Sequence, residues 1–263
     1  MNTVADSVEV SYRIQGEGPA LYMVHGIGSR KVTFDGLIPE LSQHFTCVSY
    51  DLRGHGDSPI GQLPYSLDQM VQDLEALRIK LGHEKIHIAG HSLGGMIGPA
   101  YARAFPQRAL SVTLLSTAAG RTEEDRAKLQ AVIALMREKG VMPVIKTLVE
   151  RWYTDDFIAR RPDLIEMRIQ QVEDTPQEVF LSVFDIYGTT EMAPWLHDVT
   201  CPCLVMTGEH DGGCNPRLNT FIHQQLPHSQ LVILDGLKHS ILIEAPQRVW
   251  PVVKEFLLGL KTA

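Results

Sequence analysis

A short strand-like run that leads directly into a glycine-flanked serine constrains the fold of this chain most. Residues 85–89 alternate polar and apolar side chains and have the length of a buried strand. Gly90, Ser92 and Gly94 follow, and residues 93–105 suit a helix. A serine at such a bend adopts a positive φ, which side chains two positions away would obstruct. The pattern therefore predicts a nucleophile elbow, with the Ser92 hydroxyl exposed above the sheet.

The remaining strand-like runs alternate with helical ones, which is typical of an α/β domain with a parallel sheet. Residues 8–14 are predicted to form an edge strand, 20–24 and 46–50 buried strands, and 110–115, 202–207 and 231–234 further strands of the sheet. A helix should begin at the capping box Ser66–Gln69 and end at Gly82, and another should cover 246–260. With 263 residues, 44% of them hydrophobic, the chain can bury such a core and still carry an insertion.

Helical patterns replace this alternation between residues 120 and 190. Helices are predicted over 122–139, 143–151, 162–172 and 176–187. Since parallel sheets bind ligands at the carboxyl ends of their strands, an insertion there would cover the site. We therefore predict an α/β core (1–119 and 191–263) and a helical cap, or lid (120–190). Arg151 and Trp152, between two helical pieces, are the cap residues expected to meet substrate.

Charge and cysteine content exclude several classes of protein. The 24 basic and 31 acidic residues give a net charge of −7 with both signs scattered, which argues against a nucleic-acid partner. The four cysteines form no paired metal-binding set, so we expect reduced thiols and no metal. The polar residues 1–9 do not resemble a secretory signal, and no apolar run has membrane-spanning length. We expect a soluble cytoplasmic protein without a membrane partner; the oligomeric state is not indicated.

A serine nucleophile requires a base, and imidazole titrates in the appropriate range. Of eleven histidines, His239 is best placed, in a glycine-flanked loop after the final strand. His25 and His91 adjoin the elbow region in sequence, but they lie on segments that they are expected to shape. The base needs a carboxylate in turn. Asp211 ends the preceding strand; its rival Glu209 lies closer to the strand and should point back into the sheet.

Backbone N–H groups could stabilise the negative charge that such an attack creates. Residues 25–28 follow a buried strand, and their glycines let the backbone approach a ligand closely. The N–H of Ile27 is one candidate donor, with a plain glycine turn as the alternative. The N–H of Leu93, at the start of the predicted helix, is the other. The polar residues 51–58 are expected to form a hydrogen-bonded loop that shapes the neighbouring turns.

Five segments in the same order make this chain resemble the α/β-hydrolase family over nearly its whole length: residues 25–28, 51–58, 90–95, 208–211 and 238–239. The resemblance implies a mostly parallel eight-stranded sheet flanked by helices, with a helical cap inserted after the sixth strand. It also implies Ser92, Asp211 and His239 as a catalytic triad, in the chain order expected of the fold. The amides of Ile27 and Leu93 would form the oxyanion hole, and no cofactor is needed.

Within this family, residues 150–154 and the length of the cap look like the 3-oxoadipate enol-lactonases. The chain is also similar to carboxylesterases and to hydrolases that cleave carbon–carbon bonds of ring-fission products. This implies a serine hydrolase that cleaves a carboxylic ester or lactone of a small organic substrate, such as a catabolic acid, through an acyl-enzyme on Ser92. A carbon–carbon bond hydrolase, a perhydrolase and a non-catalytic ligand receptor remain alternatives. Residues 212–215 have no interpretation from sequence.

Overall fold

A single seven-stranded sheet forms the centre of the computed structural model, which describes residues 7–260. Its strands are β1 (Tyr12–Gln15), β2 (Ala20–Val24), β3 (Thr46–Tyr50), β4 (Ile86–His91), β5 (Ala109–Leu115), β6 (Cys203–Gly208) and β7 (Ser229–Leu234). The order across the sheet is β1-β3-β2-β4-β5-β6-β7. Only β1 is antiparallel to its neighbour, and the other five pairs are parallel. The predicted α/β fold with a mostly parallel sheet is confirmed.

The expected eighth strand is not present among residues 7–260, and the helical insertion follows the fifth strand there instead of the sixth. The predicted edge strand is also shorter, beginning at Tyr12 and not at residue 8. The N–H groups of Val8 and Ser11 donate to side-chain oxygens of Asp73 and Ser58, both at 2.8 Å. Those two N–H groups are therefore not available for the backbone hydrogen bonds of a longer strand. Most of residues 1–9, for which no secretory signal is predicted, lies outside the described part.

Helices lie on both faces of the sheet and over its strand ends: α1 (Ile38–Leu41), α2 (Leu67–Lys80), α3 (Gly94–Ala104), α4 (Glu123–Lys139), α5 (Val141–Trp152), α6 (Asp155–Arg160), α7 (Pro162–Glu173), α8 (Gln177–Thr189), α9 (Pro216–Gln225), α10 (Ile241–Glu244) and α11 (Pro246–Gly259). The capping box predicted at Ser66 and Gln69 begins α2. Between residues 7 and 260, no helix combines the length and apolar character that crossing a membrane requires.

The sheet is buried on both faces, which explains the nearly continuous apolar composition of its central strands. Successive side chains of a strand point to opposite faces. In β2, Tyr22 and Val24 pack into the cluster that includes α2 and α3. Leu21 and Met23 pack into the cluster on the other face, which includes α11. The result is a three-layer arrangement in which both faces of the central strands are covered.

The five helices α4–α8, here called the helical insertion, lie over the carboxyl ends of the strands, as predicted. Arg168 of α7 donates to the carbonyl of Gly28, after β2, at 2.6 Å. The N–H of Tyr65, in the chain after β3, donates to Ser182 of α8 at 2.7 Å, and the N–H of Ser240, after β7, donates to the carbonyl of Trp152 at 2.9 Å. Helix α6 was not predicted; Thr154 caps its first turn. The division into core and cap at residues 120 and 190 stays a prediction.

Candidate active site

The backbone bends sharply between β4 and α3, and Ser92 lies at the bend with a φ of 56°. A Cβ atom on Gly90 would overlap the carbonyl oxygen of Gly94, and one on Gly94 would overlap the carbonyl oxygen of Val24. The bend is held on both sides, because the N–H of Ser92 donates to Leu115 and its carbonyl accepts from Thr117. Both glycines are therefore required sterically, and the predicted elbow geometry is confirmed.

We expect Gly90→Ala to lower the free energy of unfolding by about 3 kcal/mol or more, because the added methyl group must displace the backbone of Gly94. Urea denaturation followed by circular dichroism would measure the change. Gly212→Ala is the matched control, since a Cβ atom there meets no atom within 4 Å. A Gly90→Ala protein as stable as this control would contradict the steric argument.

An imidazole and a carboxylate meet in the loops after β6 and β7. Nδ1 of His239 donates to Oδ2 of Asp211 at 2.7 Å, and Asp211 is only 2% exposed. Burial alone would raise the pKa of Asp211, but the adjacent His239 lowers it overall. Burial alone would lower the pKa of His239, but the Asp211 carboxylate raises it above its ordinary value. The pair can hold one imidazole tautomer, with Nε2 free to accept a proton.

Residues 212–215, which had no interpretation from sequence, hold the Asp211 carboxylate in place. The N–H groups of Gly213 and Cys214 donate to Oδ1 of Asp211 at 2.9 and 2.8 Å. Asn215 then caps the first turn of α9, where its side chain accepts from the N–H of Leu218. With Oδ1 engaged by the loop and Oδ2 by His239, the carboxylate has a single orientation. Residues 212–215 therefore fix the orientation of the Asp211 carboxylate in the loop that follows β6.

Glu209, the alternative acid, does not lie at this site. Its side chain is 50% exposed, and Oε2 accepts a hydrogen bond from the N–H of Gly236 at 2.9 Å. The expectation that Glu209 points back into the sheet is wrong. The strand ends at Gly208, so the residue after it turns towards solvent and its carboxylate binds the next loop.

Ser92, Asp211 and His239 line one cavity of about 200 Å³. The ring centres of His91 and His239 lie 4.9 Å apart. His239, the base predicted from sequence, is therefore beside His91, the residue that precedes Ser92 in the chain. The structure thus brings together three side chains separated by up to 147 positions in the chain. Gly26, Ile27, Arg151 and Trp152 line the same cavity.

The other histidines near Ser92 hold the backbone. Nε2 of His25 accepts the N–H of Leu52 at 2.9 Å, and Nε2 of His55 accepts the N–H of Gly28 at 3.0 Å. Nδ1 of each ring donates to a backbone carbonyl. Burial lowers the pKa of both rings, that of His55 to about 4, so both are neutral at physiological pH. The segments 25–28 and 51–58 are therefore fastened together, as expected.

His91 supports the loop of His239. Its Nε2 donates to the backbone carbonyl of His239 at 3.1 Å. Burial lowers the pKa of His91 to about 3, which keeps its ring neutral. A neutral ring whose Nε2 carries the proton suits a fixed support. His91 thus shapes the site, as the sequence interpretation had it.

Among residues 7–260, two backbone N–H groups lack a protein acceptor: that of Ile27, which lines the cavity, and that of Leu93, which directly follows Ser92 in the chain. In the part of the chain from residue 7 to 260, neither the N–H of Ile27 nor that of Leu93 donates a hydrogen bond to another residue. The next amide after Ile27, that of Gly28, is already engaged by His55. Buried backbone donors are nearly always paired. Two unpaired N–H groups beside Ser92 can therefore accept an oxyanion as their partner.

The helical insertion supplies most of the apolar wall, and one cation that sequence reasoning missed. The apolar lining includes Leu129, Val132, Leu148, Phe180 and Phe184. Arg151 and Trp152 lie in the last turn of α5, not between two helices. The missed residue is Arg168 of α7, which also lines the cavity. Arg168 lies on the same face of α7 as the buried Ile165 and Val172. An arginine on the apolar face of a helix is the sequence signal that could have identified it.

Asp211, Cys214 and His239 place potential metal-ligand atoms within 4.8 Å of one another. Asp211 and His239 are already hydrogen-bonded to each other, and Cys214 Sγ lies 3.1 Å from the hydroxyl of Tyr187. These hydrogen bonds explain why the three side chains lie close together without a metal ion. We assign no metal to it.

Comparisons with known proteins agree with the observed fold. A family model described as alpha/beta hydrolase fold matches residues 19–246. The curated 3-oxoadipate enol-lactonase 2 of Acinetobacter baylyi is 29% identical over 249 residues, which cover 92% of this chain and 91% of that protein. The crystal structure of the enol-lactonase from Burkholderia xenovorans LB400 superposes with a TM-score of 0.89 at 26% identity, covering 96% of this chain and 97% of the other. A malate-bound thermophilic esterase from Thermogutta terrifontis gives 0.87 at 25% identity, covering 97% and 95%.

Proposed function

We propose that this chain, which belongs to the α/β-hydrolase fold family, is a serine hydrolase that cleaves a small carboxylic ester or lactone. The observation that carries the proposal is the meeting of Ser92 with the hydrogen-bonded pair His239–Asp211 in one cavity. A hydroxyl, an imidazole and an oriented carboxylate are the three groups that acyl transfer requires. The similarity to two enol-lactonases and an esterase supports the same class of reaction.

In the proposed mechanism, Nε2 of His239 removes the proton of Ser92 as its oxygen attacks the substrate carbonyl. Asp211 holds Nδ1 and stabilises the imidazolium that forms. The N–H groups of Ile27 and Leu93 bind the oxyanion, and each such donor stabilises the transition state by roughly 3–4 kcal/mol. General-base assistance contributes a factor of about 10²–10⁴. His239 returns the proton to the leaving group, and water then releases the acid from Ser92.

The helical insertion would act as the predicted cap over this site. Its side chains supply most of the apolar wall, and a cavity of about 200 Å³ favours a small substrate. Because the wall is largely apolar, a bound substrate would displace water from the site, which strengthens the interactions with the oxyanion. This supports a small organic substrate, in line with the small-molecule lactones named for the relatives.

Labelling with a fluorophosphonate, followed by a panel of esters, lactones and ring-fission dienoates, would test the proposal. We expect the label on Ser92 and turnover of an ester or a lactone. Turnover of the dienoates alone would show a carbon–carbon bond hydrolase instead. Peroxide-dependent halogenation in acetate would show a perhydrolase, and ligand binding without turnover would show a receptor.

The pH dependence should report the state of His239. The base must be neutral to accept a proton, and Asp211 raises the pKa of His239 above 6.5. We therefore expect kcat/KM for p-nitrophenyl acetate to fall on the acid side with a midpoint above pH 6.5. His91, the other ring at this position, stays neutral over that range. A profile from pH 5 to 10 would measure the midpoint.

Asp211→Asn provides the comparison for this profile. It removes the charge that raises the pKa of His239, so the midpoint should move to lower pH while the rate at its optimum falls by roughly 10⁴-fold. An acid limb that stays at the same pH in this variant would mean that another group controls it.

A further inference from the structure

One face of α8 presents a row of aromatic side chains to the cavity. Phe180, Phe184 and Tyr187 lie at positions i, i+4 and i+7 of this helix, and all three line the cavity. Residues with that spacing share one face of a helix. The ring centres of Phe180 and Phe184 lie 5.8 Å apart, and those of Phe184 and Tyr187 lie 6.2 Å apart. These three residues, here called the aromatic wall, therefore form one continuous surface.

The aromatic wall extends from the segment of the proposed oxyanion hole to the loop of the catalytic acid. At one end, the ring of Phe180 packs against the backbone of Gly28, where an added Cβ atom would come within 2.7 Å of that ring. At the other end, the hydroxyl of Tyr187 lies 3.1 Å from Sγ of Cys214, whose N–H donates to Asp211. Seven residues of α-helix cover about 10 Å. A substrate in the proposed site would therefore lie along this wall.

The cavity has the volume and the apolar character that a six-membered ring requires. Its volume is about 200 Å³. An apolar protein cavity of about 150 Å³ binds benzene. Leu129 and Val132 of α4 and Leu148 of α5 add aliphatic side chains to the lining. The hydroxyl groups of Ser29 and Thr33, which also line it, are hydrogen-bonded to each other, so a hydrocarbon ring can fill the space without leaving them unpaired.

Aromatic side chains distinguish a flat ring from a saturated one. Two aromatic rings attract each other in offset-stacked or edge-to-face arrangements with their centres about 4.5–7 Å apart, and this attraction adds to the effect of the buried area. A saturated ring of similar size buries its area but lacks the quadrupole on which the attraction depends. Phe184 is half-buried and is the middle ring of the aromatic wall, so it is the side chain best placed to select between them.

We propose that the aromatic wall binds an aromatic ring of the substrate, so that the molecule hydrolysed is a small ester with a single aromatic ring in its acyl or leaving group. This inference rests on the proposed function, since it assigns the substrate class of the same site. Because Phe180 packs against Gly28, a ring on the wall lies next to the proposed oxyanion hole. Stacking on the wall would thus orient the carbonyl group towards Ser92.

Pairs of esters that differ in whether the ring is aromatic would test this assignment. Methyl phenylacetate and methyl cyclohexylacetate vary the acyl group, and benzyl acetate and cyclohexylmethyl acetate vary the leaving group. Each kcat/KM is divided by the rate constant for hydrolysis of the same ester by hydroxide, which removes differences in intrinsic reactivity. We expect the wild-type protein to favour the aromatic ester of at least one pair by about 2- to 10-fold. In Phe184→Leu this ratio should fall towards one, and Phe184→Tyr, which keeps a ring, should retain it.

Phe105→Leu is the matched control for the loss of a ring. Phe105 is also half-buried, and its ring centre lies 5.1 Å from that of Tyr101, but it does not line the cavity. Its replacement removes an aromatic pair elsewhere in the fold and should leave the ratio unchanged. Circular dichroism would show that all of the variants are folded.

Each outcome of this comparison decides the inference. Wild-type protein that shows no preference for the aromatic ester in either pair overturns the proposed ring site, while the proposed hydrolase function stands. An aromatic preference that persists in Phe184→Leu overturns it as well, because another part of the cavity then selects the ring.

A separate binding measurement covers the case in which none of the four esters is cleaved. Failure of fluorophosphonate to label Ser92 would then show that the proposed function fails. Calorimetry with benzyl alcohol and cyclohexylmethanol decides the ring site independently of turnover. Tighter binding of benzyl alcohol that is lost in Phe184→Leu supports the proposal, and equal binding or no binding overturns it.

Discussion

Ser92→Ala is expected to lower kcat for p-nitrophenyl acetate by about 10⁴-fold or more while leaving the fold intact. The hydroxyl is the proposed nucleophile, and its removal leaves no atom to form the acyl-enzyme. The backbone should tolerate the change, because the N–H and carbonyl of Ser92 make the hydrogen bonds that hold the bend. A spectrophotometric assay of p-nitrophenol release by the purified proteins would measure kcat. Circular dichroism and the melting temperature would report the fold.

Ser116→Ala is the matched control for this variant. Ser116 also has a positive φ, 46°, follows the neighbouring strand β5 and is fully buried. Its hydroxyl has no hydrogen-bond partner among the described residues, and it does not line the cavity. Its replacement should therefore leave kcat within about twofold. Near-native turnover by Ser92→Ala would refute the nucleophile assignment.

His239→Ala is expected to lower kcat by about 10³-fold or more, because both the base and its hydrogen bond to Asp211 are lost. The variant should also label more slowly with fluorophosphonate, since the Ser92 hydroxyl is no longer activated. The same ester assay and the labelling rate would measure both effects.

His210→Ala is the control for the base. His210 precedes Asp211 in the chain, but its side chain is exposed to solvent and does not line the cavity. We expect its replacement to leave the rate nearly unchanged. If His25→Ala or His91→Ala abolished activity while His239→Ala did not, the base would have been placed on the wrong ring.

Local sequence signals predicted the elbow and the alternation of strands and helices well. The bend at Ser92 depends on the close approach of Gly90 to Gly94, which are near each other in the chain, although distant residues also hold it. The capping box of α2 is likewise local. Other features depend on distant partners. The first strand is short because Asp73 and Ser58 bind the preceding N–H groups, and the chain alone does not reveal such pairings.

The electrostatic features of the site were also beyond local reasoning. Position in the sequence favoured Asp211 over Glu209, but only the structure shows that Asp211 is buried against His239 while Glu209 accepts from the N–H of Gly236. The neutral state of His25, His55 and His91 follows from burial and from hydrogen bonds to other loops. Residues 212–215 showed no pattern, because their function is to present two N–H groups to Asp211.

By itself, the sequence determined that a serine stands at a strained bend of a parallel α/β sheet, with Asp211 and His239 following in the order that such a fold uses. Those properties follow from glycine sterics and hydrophobic periodicity, which act over a few residues. Only the tertiary structure decided that Arg168 lies in the cavity and, among residues 7–260, has no carboxylate partner. Burial and charge pairing are properties of neighbours in space, so they become defined only when the helical insertion packs over the strand ends.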